Sequence, residues 1–133
     1  MFPFFQHTRL VEALAQHPAV EQIYHPSTQR TEVYDRWRRS SMCGEGEGYG
    51  SLFSVVLKKR DNARVFYDRL DTAKGPGFGS NFSLVCPYTM IAHFNELQWC
   101  EQYGVDKSLI RAWIGLEDAG HLHATFEEAL DGL

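Results

Sequence analysis

The chain has 133 residues, 44% of them hydrophobic and 23% charged, which suits one domain with one core and excludes extensive disorder. A domain near this size buries roughly two thirds of the surface its unfolded chain exposes, enough to fold without cross-links. Net charge is −4 and the 13 Lys and Arg are scattered, the densest stretches being Arg36/Arg38/Arg39 and Lys58/Lys59/Arg60. Displacing counterions from phosphates needs a sustained basic face, so nucleic acid is not an expected partner.

In chain order, Leu10, Val11 and Leu14 share one helical face, and Pro18 closes that helix. Val20 to Tyr24 reads as a short strand stopped by His25-Pro26-Ser27. Val33, Tyr34 and Trp37 predict a helix from about Gln29 to Arg39, and Gly44-Glu45-Gly46-Glu47-Gly48 a turn or linker. Ser51 to Leu57, rich in Phe and Val, predicts a strand. Asp61 or Asn62 can cap a helix carrying Ala63, Phe66, Tyr67 and Leu70 at i, i+3, i+4 and i+7. Thr72 to Lys74 predicts a brief strand before the loop Gly75-Pro76-Gly77-Phe78-Gly79-Ser80, and Phe82 to Cys86 another, ended by Pro87.

Met90, Ile91, Phe94 and Leu97 predict one long helix running to about Tyr103, with Gly104 as its stop. Leu109 to Gly115 predicts a strand whose alternation puts Ile110, Ala112 and Ile114 on one face and Leu109, Arg111 and Trp113 on the other. The first set suits a core beneath helices; the second sets a cation beside a large aromatic. Leu122, Phe126 and Leu130 define a final helix. This order predicts an α+β fold: a small, mostly antiparallel sheet with helices mainly on one face, residues 1–133 forming a single domain.

Few residues carry independent chemical signals. Gly44–Gly50 and Gly75–Gly79 lack the strand–helix setting and the Gly-Lys-Ser/Thr of phosphate loops, so they read as turns. His121 and His123 point to different faces of a helix, and His7, His17, His25 and His93 have no carboxylate or thiol at ligand spacing, so no metal is expected. There is no Gly-x-Ser-x-Gly elbow, and Cys86, at a strand end before Pro87, reads as a small buried hydrophobe. Cys43, Cys86 and Cys100 are irregularly spaced, which favours a reducing, cytoplasmic setting. The apolar start Met1-Phe2-Pro3-Phe4-Phe5 is too short for a leader's apolar region or a bilayer span, so neither targeting nor a membrane is expected.

The segment Leu109-Ile110-Arg111-Ala112-Trp113-Ile114-Gly115-Leu116-Glu117-Asp118 is similar to the Ile-Arg-Leu-Ser-Val-Gly-Leu-Glu-Asp signature of the cystathionine γ-synthase, γ-lyase and β-lyase family. His17-Pro18-Ala19-Val20-Glu21-Gln22-Ile23-Tyr24-His25-Pro26 resembles its His-Pro-x-Val-x-x-Val-x-Tyr-Pro segment, and Gly48-Tyr49-Gly50-Ser51-Leu52-Phe53-Ser54 its Gly-x-Gly-Gly-x-x-Ser. Lys74-Gly75-Pro76, Asn81-Phe82-Ser83-Leu84-Val85-Cys86-Pro87 and Ala92-His93 look like the fungal-type cystathionine γ-synthases. These matches run in order from about Thr8 to Leu130.

The resemblance implies the C-terminal small domain of a fold-type I, pyridoxal-phosphate (PLP) trans-sulfuration enzyme. It implies that Arg111 holds a substrate α-carboxylate, for which a guanidinium fork is suited, at about 1.5–3 kcal/mol per charge-assisted contact. Trp113, where the family commonly has Ser, Gly77, matching a substrate-loop Ser, and Asn81 complete the expected substrate site. The family's cofactor lysine, its pyridine-nitrogen carboxylate and its phosphate-binding residues belong to a larger preceding domain; Lys58, Lys59, Lys74 and Lys107 match no cofactor-lysine motif. The expectation is therefore a carboxylate-binding domain with no cofactor of its own, its large PLP-binding domain absent, and not competent for PLP chemistry alone. Two alternatives stay open: a cofactor-independent small enzyme of cyclase or isomerase type, as in secondary metabolism, repurposed around Arg111 and Trp113, or a non-catalytic binding or assembly domain. The expected partners are a small carboxylate-bearing molecule and a second copy, or another chain, covering the former inter-domain face.

Overall fold

A computed structural model describes residues 4–29, 32–38 and 48–133. Cys43, most of the expected Gly/Glu turn and parts of the Gln29–Arg39 helix lie outside them. Helix α1 (Phe4–Gln16) buries His7, Leu10, Val11 and Leu14 along one stripe and is followed by Pro18. Strand β1 (Val20–Tyr24) spans the expected residues. Helix α2 (Glu32–Trp37) lies within the expected helix and buries none of its side chains.

Strands β2 (Leu52–Leu57), β3 (Ala73–Lys74), β4 (Leu84–Cys86) and β5 (Ile110–Trp113) join β1 in one sheet of order β1-β2-β5-β4-β3. The β1–β2, β2–β5 and β5–β4 pairs are antiparallel, and β3 adds to β4 in parallel. Ala112 pairs with Phe53 on one side and Val85 on the other, all three on the core face. One residue along, Arg111 pairs with Ser54 and Cys86, and Trp113 with Leu52 and Leu84, on the reverse face. Leu109, expected to share that face, precedes the strand and is buried.

Three helices cover the core face: α1, α3 (Asn62–Arg69) and, at the chain's end, α6 (Ala119–Leu130). Phe126 of α6 is fully buried, its ring 5.9 Å from that of Phe53 on β2 and 6.3 Å from that of Phe66 on α3. This one side chain joins sheet to both helices. Asp118 caps α6 by accepting a hydrogen bond from the His121 N–H at 3.0 Å. At α3, Asp61 occupies the cap position in a helical conformation without a capping hydrogen bond.

Two expected elements are corrected. The long helix after Pro87 is three pieces: α4 (Tyr88–Ala92), a 3₁₀ turn (Phe94–Glu96) and α5 (Leu97–Gln102). Its Met90, Ile91 and Phe94 are exposed, so no buried stripe holds a continuous helix together, and His93 Nδ1 with Glu96 Oε1, 2.6 Å apart, locks the break. Gly104, at φ +74°, ends α5 as expected. The strand expected from Phe82 begins only at Leu84, because the backbone before it is engaged elsewhere, as described below.

Replacing Phe126 with Ala should lower unfolding free energy by about 3–5 kcal/mol, whereas Phe94→Ala should change it by less than about 0.5 kcal/mol, both read from urea melts.

Candidate functional site

The reverse face of the sheet holds the residues singled out in the sequence. Arg111 projects from β5 because Ile110 and Ala112 on either side are drawn into the core. Its Nη2 donates to the Pro76 carbonyl. Its guanidinium carbon lies 4.3 Å from the centre of the Tyr88 ring and 5.7 Å from that of Phe78. These contacts set the plane of the guanidinium, and with the Pro76 carbonyl and the Cys86 side chain as its hydrogen-bond partners, further N–H groups of the five remain. Burial pushes the Cys86 thiol, on the neighbouring strand, above its ordinary value, and the charge of Arg111 partly offsets this.

Trp113 lies two residues along the same face. Its Nε1–H donates to the Ser80 carbonyl at 2.9 Å, and the Phe78 ring rests 6.5 Å from its own. The indole thus props the loop of residues 75–83, whose Pro76 carbonyl meets Arg111. Gly77 sits in that loop, and a Cβ there would come within 3.1 Å of Leu84 Cδ1, so a Ser at this position would have to move that side chain slightly. Asn81 contributes through its backbone: its carbonyl accepts from the Leu116 N–H at 2.9 Å while the residue is exposed. Arg111, Trp113 and Gly77 are therefore brought together, and Asn81 anchors the loop's far end.

The residues that hold this loop carried no site assignment in the sequence reading. A Cβ at Gly115 would stand 2.5 Å from the Phe82 backbone, so only glycine lets the two segments approach. Ser83, 1% exposed, gives its N–H to Glu117 Oε1 at 2.5 Å and its hydroxyl to Oε2 at 2.9 Å, while its Oγ accepts from the Gly115 N–H at 3.0 Å. The Gly115 carbonyl is met by His7 Nε2 at 3.1 Å, and His7 Nδ1 by Ser51 Oγ at 2.7 Å. A carbonyl only accepts, so Nε2 carries the ring proton and Nδ1 accepts from the Ser51 hydroxyl. Tyr88, directly after Pro87, was likewise unassigned. Glu117 lay inside the quoted signature, but nothing in its spacing tells that it reaches Ser83, 34 residues earlier.

An α+β sheet of this order, helix-covered on one side, is the architecture seen inside fold-type I PLP-dependent enzymes. A solved structure of cystathionine γ-synthase from Xanthomonas oryzae pv. oryzae in complex with cystathionine superposes with a TM-score of 0.76 over 96% of this chain and 33% of its own, at 21% identity, a likeness of fold. The chain belongs to the Cys/Met metabolism PLP-dependent enzyme family, which it matches over residues 6–131. It is 43% identical over 122 residues to cystathionine gamma-synthase of Neurospora crassa, covering 91% of this chain and 19% of the relative. To the Saccharomyces cerevisiae cystathionine gamma-synthase it is 40% identical over 111 residues, covering 84% of this chain and 17% of that protein. The chain thus spans about a fifth of the length of these curated relatives. Among the described residues no helix is long and apolar enough to cross a membrane.

A cofactor of this family needs a lysine with an uncommitted amine beside the substrate. Lys74 does not fit: its Nζ donates to the Tyr67 and Leu70 carbonyls at 2.6 and 2.7 Å and lies 4.5 Å from the Tyr67 ring. Lys58, Lys59 and Lys107 are exposed in turns before α3 and β5. Among the described residues no cluster of three or more His, Cys, Asp or Glu could hold a metal ion.

Burial lowers His7 from its ordinary value of 6.5, against the upward pull of the Gly115 carbonyl and the Glu117 charge. His25, hydrogen-bonded through Nε2 to the Gly50 carbonyl at 3.4 Å, is lowered for the same reason. The unfolded chain therefore takes up protons near pH 6.5 that the folded chain resists. Stability should be whole above that pH and fall as pH drops below it; urea midpoints across this range should show the slope, and His7→Gln should flatten it.

Proposed function

We propose that this polypeptide is the substrate-carboxylate-binding portion of a cystathionine γ-synthase-type enzyme, with Arg111 taking the α-carboxylate of the amino-acid substrate. The supporting observation is the presentation of Arg111: its guanidinium plane is set by the Tyr88 ring and the Pro76 carbonyl, with donors left for a ligand. A carboxylate is the planar, two-oxygen acceptor that such a fork recognises. Trp113 and Phe78 supply apolar walls beside it.

PLP, where bound, supplies an electron sink for bonds at the substrate's amino-acid carbons. The residues that hold it, in this reading, are supplied outside these 133, because the lysines present are exposed or committed to backbone carbonyls. The same reading accounts for the exposed apolar side chains of the loop and of β2: Phe78 is 67%, Phe82 50% and Leu52 38% exposed, and the cofactor-holding portion would cover them.

The free chain should bind L-cystathionine more tightly than its dimethyl ester, in which both α-carboxylates are blocked, and Arg111→Ala should weaken that binding roughly 10- to 100-fold, as expected for a lost charge-assisted contact, measured by NMR titration. A wild-type chain that does not distinguish acid from ester, or an Arg111→Ala chain that binds as well, overturns the assignment. Incubation with PLP and borohydride should give only scattered, non-saturating labelling of the exposed Lys58, Lys59 and Lys107, with no single lysine modified to completion at low PLP. A stoichiometric lysine adduct would refute the proposed division of labour.

A further inference from the structure

The carboxylate of Glu117 is far from idle on the surface. It takes both the N–H and the hydroxyl of Ser83, a residue 1% exposed, while Ser83 Oγ also receives the Gly115 N–H. Ser83 is the last residue before β4, and the loop that ends there begins at Gly75, whose N–H donates to the Val85 carbonyl at 3.0 Å. Between these two ties, among the described residues, the loop is held by the contacts already described: Pro76 to Arg111, Ser80 to Trp113 and Asn81 to Leu116. All three are backbone carbonyls, so each tie is only as well placed as the stem that carries it.

We propose that Glu117 is a positioning residue for Arg111: by clamping Ser83 it fixes the loop stem, and through the stem the Pro76 carbonyl that orients the guanidinium. The chain of contacts is continuous. Glu117 holds Ser83; Ser83 and Gly115 hold the Asn81–Phe82 backbone against the end of β5; Trp113 then meets Ser80, and Arg111 meets Pro76. Chemistry explains the choice of residue. A carboxylate offers two separate oxygens, and here one accepts from the Ser83 N–H and the other from its O–H. Aspartate, one methylene shorter, would not span the same gap without moving the backbone. The inference rests on the reading of Arg111 as the carboxylate binder only for its functional consequence; the clamp itself can be read without ligand.

The test uses the full chain, labelled with nitrogen-15, as wild type, Glu117→Ala, Glu117→Gln and Ser83→Ala. In the absence of ligand, the Trp113 indole N–H and Arg111 guanidinium signals should shift and broaden in Glu117→Ala, while core amides such as that of Phe126 stay put. Glu117→Gln, which keeps one accepting oxygen and can donate to Ser83 Oγ, should recover much of the wild-type pattern, and Ser83→Ala should reproduce the loss. Affinity for L-cystathionine should fall about tenfold in Glu117→Ala, as for loss of one orienting contact to a charged group, and be partly restored in Glu117→Gln. Unmoved Trp113 and Arg111 signals in both Glu117→Ala and Ser83→Ala would overturn the proposal, as would equal loss in Ala and Gln. If Glu117→Ala does not fold, Ser83→Ala and Glu117→Gln decide the question by the same signals. Moved loop signals with no ligand bound by any chain would sink the carboxylate reading and leave the clamp standing.

Discussion

A Cβ at position 115 would stand 2.5 Å from the Phe82 backbone, and the geometry of the Arg111 face follows from that close approach. Two backbones this near leave polar groups that water cannot reach, and each must find a partner within the protein. Ser83 and Glu117 provide them on one side, His7 and Ser51 on the other. The result is a hydrogen-bonded path from α1, through the end of β5, to the stem of the loop. It also explains why β4 is short: the N–H of Ser83 is taken by a carboxylate and the Asn81 carbonyl by Leu116, so neither is available to a regular ladder.

From this junction the loop is delivered to Arg111 and Trp113. The large indole at 113, where the family signature has a small hydroxyl, acts here as a support: its N–H meets the Ser80 carbonyl and its ring lies beside Phe78. The aromatic rings of Tyr88 and Phe78 flank the guanidinium, giving a cation among aromatic faces rather than an isolated charge. The fold supplies the rigid background. The alternation of β5 sends Ile110 and Ala112 into a core closed by α1, α3 and α6, and this leaves Arg111 no choice of face.

Family membership rests on most of this chain but only about a fifth of the relatives' length, so the relatives' activity enters as a proposal. The chain's lysine closest in sequence to the loop, Lys74, caps the carbonyl end of α3, where a cation satisfies the last open carbonyls of the helix. That use of Lys74 is structural.

Periodicity along the chain determined a good deal. The limits of β1, the buried stripe of α1, the apolar triad of α6 and the two faces of β5 are all local patterns, set by the geometry of a 3.6-residue helix or a two-residue pleat. The signature around Arg111 was legible for the same reason, being one short stretch. Local pattern failed where burial did not follow it: Met90, Ile91 and Phe94 have helical spacing but face outward, so the helix breaks at His93. It could not show that β3 would join β4 in parallel, nor that Ser83, Gly115, Glu117 and His7 would meet, because those contacts link residues 32 to 108 positions apart. Strand and helix faces are decided by neighbours in sequence, whereas the partner of a buried polar atom is decided by which distant backbone the packing brings against it.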